Sequence, residues 1–204
     1  MLHEPLVILD FETTGLKPHA GDRITEVGLV RVANGRIVDR YQSLVNCDVQ
    51  VPSFITSYTG ITQQMVDTAP QVRTVMEEVM VFIGDTPIVA HSASFDERFL
   101  ASECRGLGMP MLYESFLCSM RIARRIYPHL DSHALGALAH ALKLPRCGRA
   151  HRAGVDAEMT AQLMLMMGRE LARMREGMVT TQLLRRLMHM PVAKAQTGLA
   201  KLCA

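Results

Sequence analysis

The chain has 204 residues, enough for one well-packed domain and too few for two full ones. A hydrophobic fraction of 49% beside 21% charged residues excludes a disordered, collagenous or coiled-coil protein. The net charge of +2 hides an asymmetry, since from residue 169 onward seven Lys and Arg face two Glu and the body before it is net acidic. A basic tail suits an anionic partner and equally a solvated helix face. The longest apolar stretches, such as Leu163 to Met167, stop well short of the roughly 18 residues that span a bilayer. The N-terminal MLHEPLVILD lacks the basic start of a secretory signal, so a cytoplasmic protein without membrane association is expected. Cys47, Cys104, Cys118, Cys147 and Cys203 are odd in number and form no C-x-x-C pair, which predicts reduced thiols rather than disulfides or a zinc ribbon.

In chain order, Pro5 to Phe11 is a branched apolar run that predicts a buried strand. Ile24 to Val32 and Arg36 to Val45 predict two more strands, joined by Asn34-Gly35, a strong hairpin signal. A loop is expected over Pro52 to Thr62. The spacing of Val72, Val75, Met76, Val79, Met80 and Ile83 predicts a helix over 72–83. A short strand over Pro87 to Ala90 precedes a helix over Ser94 to Leu107, whose Ser94-x-x-Glu97 matches a capping box. A strand at Ser115 to Met120 leads into a helix at Arg121 to Ile126. Further helices are expected at Ser132 to Leu142, Ala153 to Leu171 and Val179 to Met190. An opening meander followed by alternating strands and helices makes an α/β domain with a mixed sheet.

Acidic residues gather at predicted strand ends and helix starts. Asp10 and Glu12 are two apart, so alternation along a strand aims both carboxylates from one face. Such a pair fits a solvated strand end, or a site where a hard cation such as magnesium or manganese relieves the repulsion. Asp96 and Asp156 each fall in the first turn of a predicted helix, where an acid also favours the helix dipole. Topology favours the cation site, because strand ends and helix starts of an α/β sheet converge on one crevice. His151, just ahead of the Asp156 helix, is either an exposed loop histidine or a group that takes a proton near neutral pH.

Three segments carry a resemblance: VILDFETTGL (7–16), HSASFDERFL (91–100) and HRAGVDAEMT (151–160). In this order they are similar to the three motifs of the DnaQ-like DEDDh superfamily of 3′→5′ exonucleases, over roughly residues 5 to 170. The resemblance implies a ribonuclease H-like fold, with an antiparallel opening meander plus parallel strands flanked by helices. It implies an exonuclease domain over 1–170 and a basic C-terminal helical extension over 171–204. Asp10, Glu12, Asp96 and Asp156 match the metal-binding acids and His151 the general base. Arg152 stands where the sister branch would carry tyrosine. The resemblance further implies contacts to the terminal nucleotide from Thr13, Gly15, Leu16, Tyr58, Thr59, Ile61, His91 and Phe95. Ser92 departs from the asparagine of many relatives without removing a metal ligand.

Two divalent ions, Mg2+ or Mn2+, are thus expected to activate water and to stabilise the leaving 3′ oxygen. The expected substrate is a 3′ end of DNA or RNA, single-stranded by family analogy, with release of nucleoside 5′-monophosphates. A proofreading or repair subunit bound to a polymerase or clamp is the alternative reading. A catalytically silent binding module fits less well, because all five active-site residues are retained. His129 and His133 read as surface histidines, and Met159, Met164, Met166 and Met167 as core filling. Gln182-Leu183-Leu184 with Leu187-Met188 is only loosely similar to a clamp-binding peptide. The tail reads as an amphipathic helix that packs on its own domain, pairs two chains into a homodimer, or guides nucleic acid through Arg185 and Arg186.

Overall fold

A computed structural model describes every residue except 1, 3, 112–114, 146, 147, 149, 175–177, 196, 197 and 199–204. The chain runs β1 (Leu6–Thr13), β2 (Ile24–Ala33), β3 (Arg36–Leu44), α1 (Ser53–Thr59), α2 (Gln63–Asp67), α3 (Val72–Ile83), β4 (Ile88–Ala90) and α4 (Ala93–Leu107). It continues with β5 (Leu117–Cys118), α5 (Ser119–Ile126), α6 (Leu135–Ala141), α7 (Ala153–Met174) and α8 (Thr181–His189). The five strands make one sheet in the order β3-β2-β1-β4-β5. The first three are antiparallel, while β4 runs parallel to β1 and β5 parallel to β4, which is the mixed sheet expected. Asn34 and Gly35 both adopt positive φ, 52° and 72°, as a tight hairpin turn requires.

Period-two alternation divides β1 between two cores. Val7, Leu9 and Phe11 pack with α3 and α4, whereas Leu6 and Ile8 pack with Val30 and Val32 of β2 and with the buried side of α7. Asp10 and Glu12 continue the second row, so alternation turns them toward the α7 side of the sheet. Gly28 lets α7 come close: a Cβ there would lie 2.3 Å from the main-chain carbonyl of Ala153. Gly154 is equally tight against the Gln42 side chain.

Several elements differ from expectation. The segment 52–62, expected as a loop, holds α1, which buries Ile55 and Thr59 and is bounded by Pro52 and a left-handed Gly60. Its Ser, Thr and β-branched residues are weak helix formers, so tertiary burial decides its state. The capping box does not form, because Ser94 already lies inside α4 and Ser92 occupies the N-cap without a side-chain bond. β5 is only two residues long and its helix begins at Ser119 rather than Arg121; α6 starts three residues later than expected.

α7 continues past residue 170 to Met174, and α8 buries Leu183, Leu184, Leu187 and Met188 in the same core as α7. The tail is tied down further by Arg125, which donates to the Met190 carbonyl at 2.8 Å, and by Arg185, which donates to that of Ser115 at 2.8 Å. Of the three roles open to the tail helix, packing on its own domain is therefore the one observed. Arg175, Glu176 and Lys201 of the basic tail lie outside the described residues. Cys47, Cys104 and Cys118 are free thiols, and Cys147 and Cys203 are also outside the described residues. Among the described residues, no helix is long and apolar enough to cross a membrane.

Candidate active site

The carboxyl end of β1, the start of α4 and the start of α7 meet at one place. Asp10, Glu12 and Asp156 each bring a carboxylate oxygen there, and these oxygens lie within 4.8 Å of one another. Asp96 is buried beside them, and its Oδ1 accepts the backbone N–H of Phe11 at 3.2 Å, between the two β1 acids. The five residues of the expected constellation thus fall into one cluster of three acids, one adjoining acid and one loop histidine.

Within the cluster, burial and mutual repulsion of the acids outweigh the positive charge that Arg152 brings near Glu12. Burial, reinforced by Asp96, Asp156 and Glu12, raises the Asp10 carboxyl well above its ordinary range. Glu12 is pushed up to about 8, first by burial and then by Asp156 and Glu26. Burial raises Asp96 to about 7 against the opposing backbone hydrogen bonds, and raises Asp156 as well. Carboxylates that repel one another and resist ionisation are what a hard divalent cation relieves. Their all-oxygen donor set fits such an ion.

His151 sits in the left-handed region, φ 61°, a costly backbone state for a residue with a Cβ. Its N–H donates to Asp156 Oδ2 at 3.2 Å, and its ring lies 3.9 Å from that of Tyr58, centroid to centroid, with the planes 31° apart. The loop carrying it is held by Glu26, which sequence reasoning left out. Glu26 pairs with Glu12 across the β1–β2 register and is fully buried. Its carboxylate accepts from the Arg152 guanidinium at 3.0 Å, the Ala153 N–H at 2.9 Å and the Gln42 amide at 2.8 Å. The available signal was an acid at an inward position of β2, in register with Gly28, Val30 and Val32.

The expected nucleotide-contact residues separate into two groups. Leu16 (71% exposed) and Tyr58 (58% exposed) project into solvent. Thr13 is buried and donates its hydroxyl to the Gly15 carbonyl at 2.6 Å, while a Cβ on Gly15 would strike the Asp22 carboxylate at 2.4 Å. Thr59 and Ile61 point inward: the Thr59 hydroxyl donates to the Ile55 carbonyl at 2.9 Å and accepts the Ile61 N–H at 3.0 Å. Phe95 is half-buried against Phe99, with ring centroids 4.9 Å apart.

His91 is buried, with Nδ1 2.9 Å from the Ser119 hydroxyl and Nε2 2.9 Å from the His133 carbonyl; burial lowers its pKa to about 4. Both ring nitrogens therefore serve the packing of β4 against α5 and the 127–134 turn. His133 is likewise no free surface histidine, because its Nε2 lies 3.0 Å from the Tyr127 carbonyl. His129 is exposed.

Comparisons with known proteins bear on the family and the fold. The profile of the RNase_T exonuclease family matches residues 7–164. The chain is 34% identical over 166 residues to the PolC-type DNA polymerase III of Caldanaerobacter subterraneus subsp. tengcongensis, covering 81% of this chain and 12% of that protein. It is 33% identical over 165 residues to the 3′-5′ exonuclease DinG of Bacillus subtilis, covering 81% and 18%. The chain therefore spans less than a fifth of the length of either relative. Among solved structures, exonuclease X in complex with 5′ overhanging duplex DNA superposes with a TM-score of 0.72 at 28% identity, covering 90% of this chain and 99% of that one. The nuclease domain of 3′hExo, a DEDDh family member bound to rAMP, shares the fold with a TM-score of 0.70 at 22% identity, covering 81% and 92%.

Proposed function

We propose, from the premise that this chain belongs to the exonuclease family and to its DEDDh branch of 3′→5′ exonucleases, that it removes nucleoside 5′-monophosphates one at a time from 3′ ends of single-stranded DNA or RNA. The observation that carries the reading is the convergence of Asp10, Glu12 and Asp156 to within 4.8 Å at the end of β1, with Asp96 and the His151 loop beside them.

Two divalent ions, magnesium or manganese, held by Asp10, Glu12, Asp96 and Asp156 would supply water activation and neutralise charge on the leaving 3′ oxygen. His151 takes the proton of the attacking water and is held in place by Asp156, Tyr58 and, through Arg152, by Glu26. Leu16 and Tyr58 flank the terminal nucleotide as exposed apolar surfaces. Thr13, Gly15, Thr59, Ile61, His91 and Phe95 shape the floor and walls from behind.

A matched pair of oligonucleotides tests the direction of attack: one with a free 3′ hydroxyl, one with the 3′ end blocked. The reading predicts 5′-monophosphates from the first alone, and equal digestion of both would contradict it. A second reading, a proofreading or repair role inside a polymerase assembly, rests on the similarity to the PolC-type polymerase. Co-purification with a polymerase or clamp tests it without altering the chemistry.

A further inference from the structure

Phe54 and Tyr58 are the exposed aromatic residues among those described, 65% and 58% exposed, while the other described Phe and Tyr residues are buried or half-buried. They stand four residues apart on α1, which places them as neighbours on one helix face. The adjacent face is fixed, because Ile55 and Thr59 are buried and the Thr59 hydroxyl is bonded into its own turn. The rings are thus displayed from an anchored support. Tyr58 adjoins His151, so the aromatic face continues directly out of the acidic cleft. Helix α1 itself, SFITSYT, carries no charged side chain. What a neutral, rigid aromatic face beside a phosphodiester site offers is stacking for an unpaired base.

We propose that Phe54 is a base-stacking residue, which extends the site beyond Tyr58 and holds an unpaired base of the strand close to the linkage being cut. The inference rests on the exonuclease reading and adds to it a reason for preferring single strands, whose bases are free to stack. Because no charge is involved, the contribution of Phe54 is independent of salt, unlike phosphate contacts.

The chain contains no tryptophan, so Phe54→Trp places a single indole emitter on this face of the 204-residue chain. In EDTA, which prevents cutting, its emission is expected to be quenched by a short single-stranded oligonucleotide and not by an abasic strand of equal length. Phe54→Ala is expected to weaken binding of that oligonucleotide on the order of ten-fold, by the same factor at low and high salt. Emission unmoved while fluorescence anisotropy shows the oligonucleotide bound would overturn the inference, and would assign the face to something other than nucleic acid. Absence of both binding and magnesium-dependent cleavage in the unaltered protein would instead remove the exonuclease reading, and this inference with it.

Discussion

Glu26, near the start of β2, holds Arg152 at the threshold of α7, with the guanidinium Nε 3.0 Å from Glu26 Oε2. The same carboxylate takes the N–H of Ala153, so a strand acid fixes both residues that follow His151. The histidine's strained backbone is therefore held from two sides, by Glu26 after it and by Asp156 through its own N–H. A buried pair of this kind is weak evidence for stability, and its value here is geometric.

Glu26→Gln keeps an acceptor for Ala153 and removes the charge facing Arg152. The expected result is a kcat lower on the order of 10- to 100-fold with KM little changed, the mark of a displaced reacting group. The folded state should also weaken, by less than the roughly 3–5 kcal/mol that breaking a fully buried pair costs, because Arg152 keeps 29% of its side chain in solvent. Steady-state kinetics on single-stranded DNA checks this, and wild-type kcat in the variant would reduce the pair to a purely structural role.

The acids also predict how stability depends on pH. Glu12 rises from 4.5 to about 8 and Asp96 from 3.8 to about 7 on folding, so the native state favours their protonated forms. Their stabilising share is complete below the unfolded values and is lost as pH rises toward 8. His91, lowered to about 4, has the opposite sign but completes its change near 6.5. Between pH 6.5 and 8.5 the metal-free Tm should therefore fall, and the Tm gain from added Mg2+ or Mn2+ should grow, because the cation binds deprotonated carboxylates. A Tm that is flat over this range and insensitive to both ions would contradict the cation site.

Gly28 predicts a steric effect at the same junction. A Cβ would meet the Ala153 carbonyl carbon and oxygen at 2.3 Å, and main chain cannot swing aside as a flexible side chain can. Gly28→Ala should push the start of α7 off β2, costing about 1–3 kcal/mol or more, and should lower activity by moving Asp156 and His151 away from β1. Thermal denaturation alongside kinetics reads both effects. An unchanged melt would mean that this contact is not the constraint described.

Much of this site was legible because strand alternation is a two-residue rule. Asp10 and Glu12 share a face whatever the tertiary structure, and Asn34-Gly35 encodes its turn locally. Glu26 was not legible, since its significance lies in Arg152 and Ala153, more than a hundred residues away. α1 was hidden by its Ser, Thr and β-branched residues, although Pro52 before it and Gly60 after it mark a helix start and stop. Ser94-x-x-Glu97 failed for the opposite reason: the motif was present, but α4 begins upstream of it. Thr59, Ile61 and His91 show a third limit, because a motif names residues near a site without saying which of them point inward.

The most direct test is a cleavage ladder. The protein is incubated with 5′-labelled single-stranded DNA and, in parallel, RNA of the same sequence, with Mg2+ or Mn2+, with EDTA, and as the Asp10→Ala and His151→Ala variants. The account predicts stepwise shortening from the 3′ end, abolished by EDTA and by Asp10→Ala and slowed by about 10²–10⁴-fold in His151→Ala. Shortening that persists in EDTA or in Asp10→Ala, or no shortening of either strand by folded protein with metal present, would contradict it.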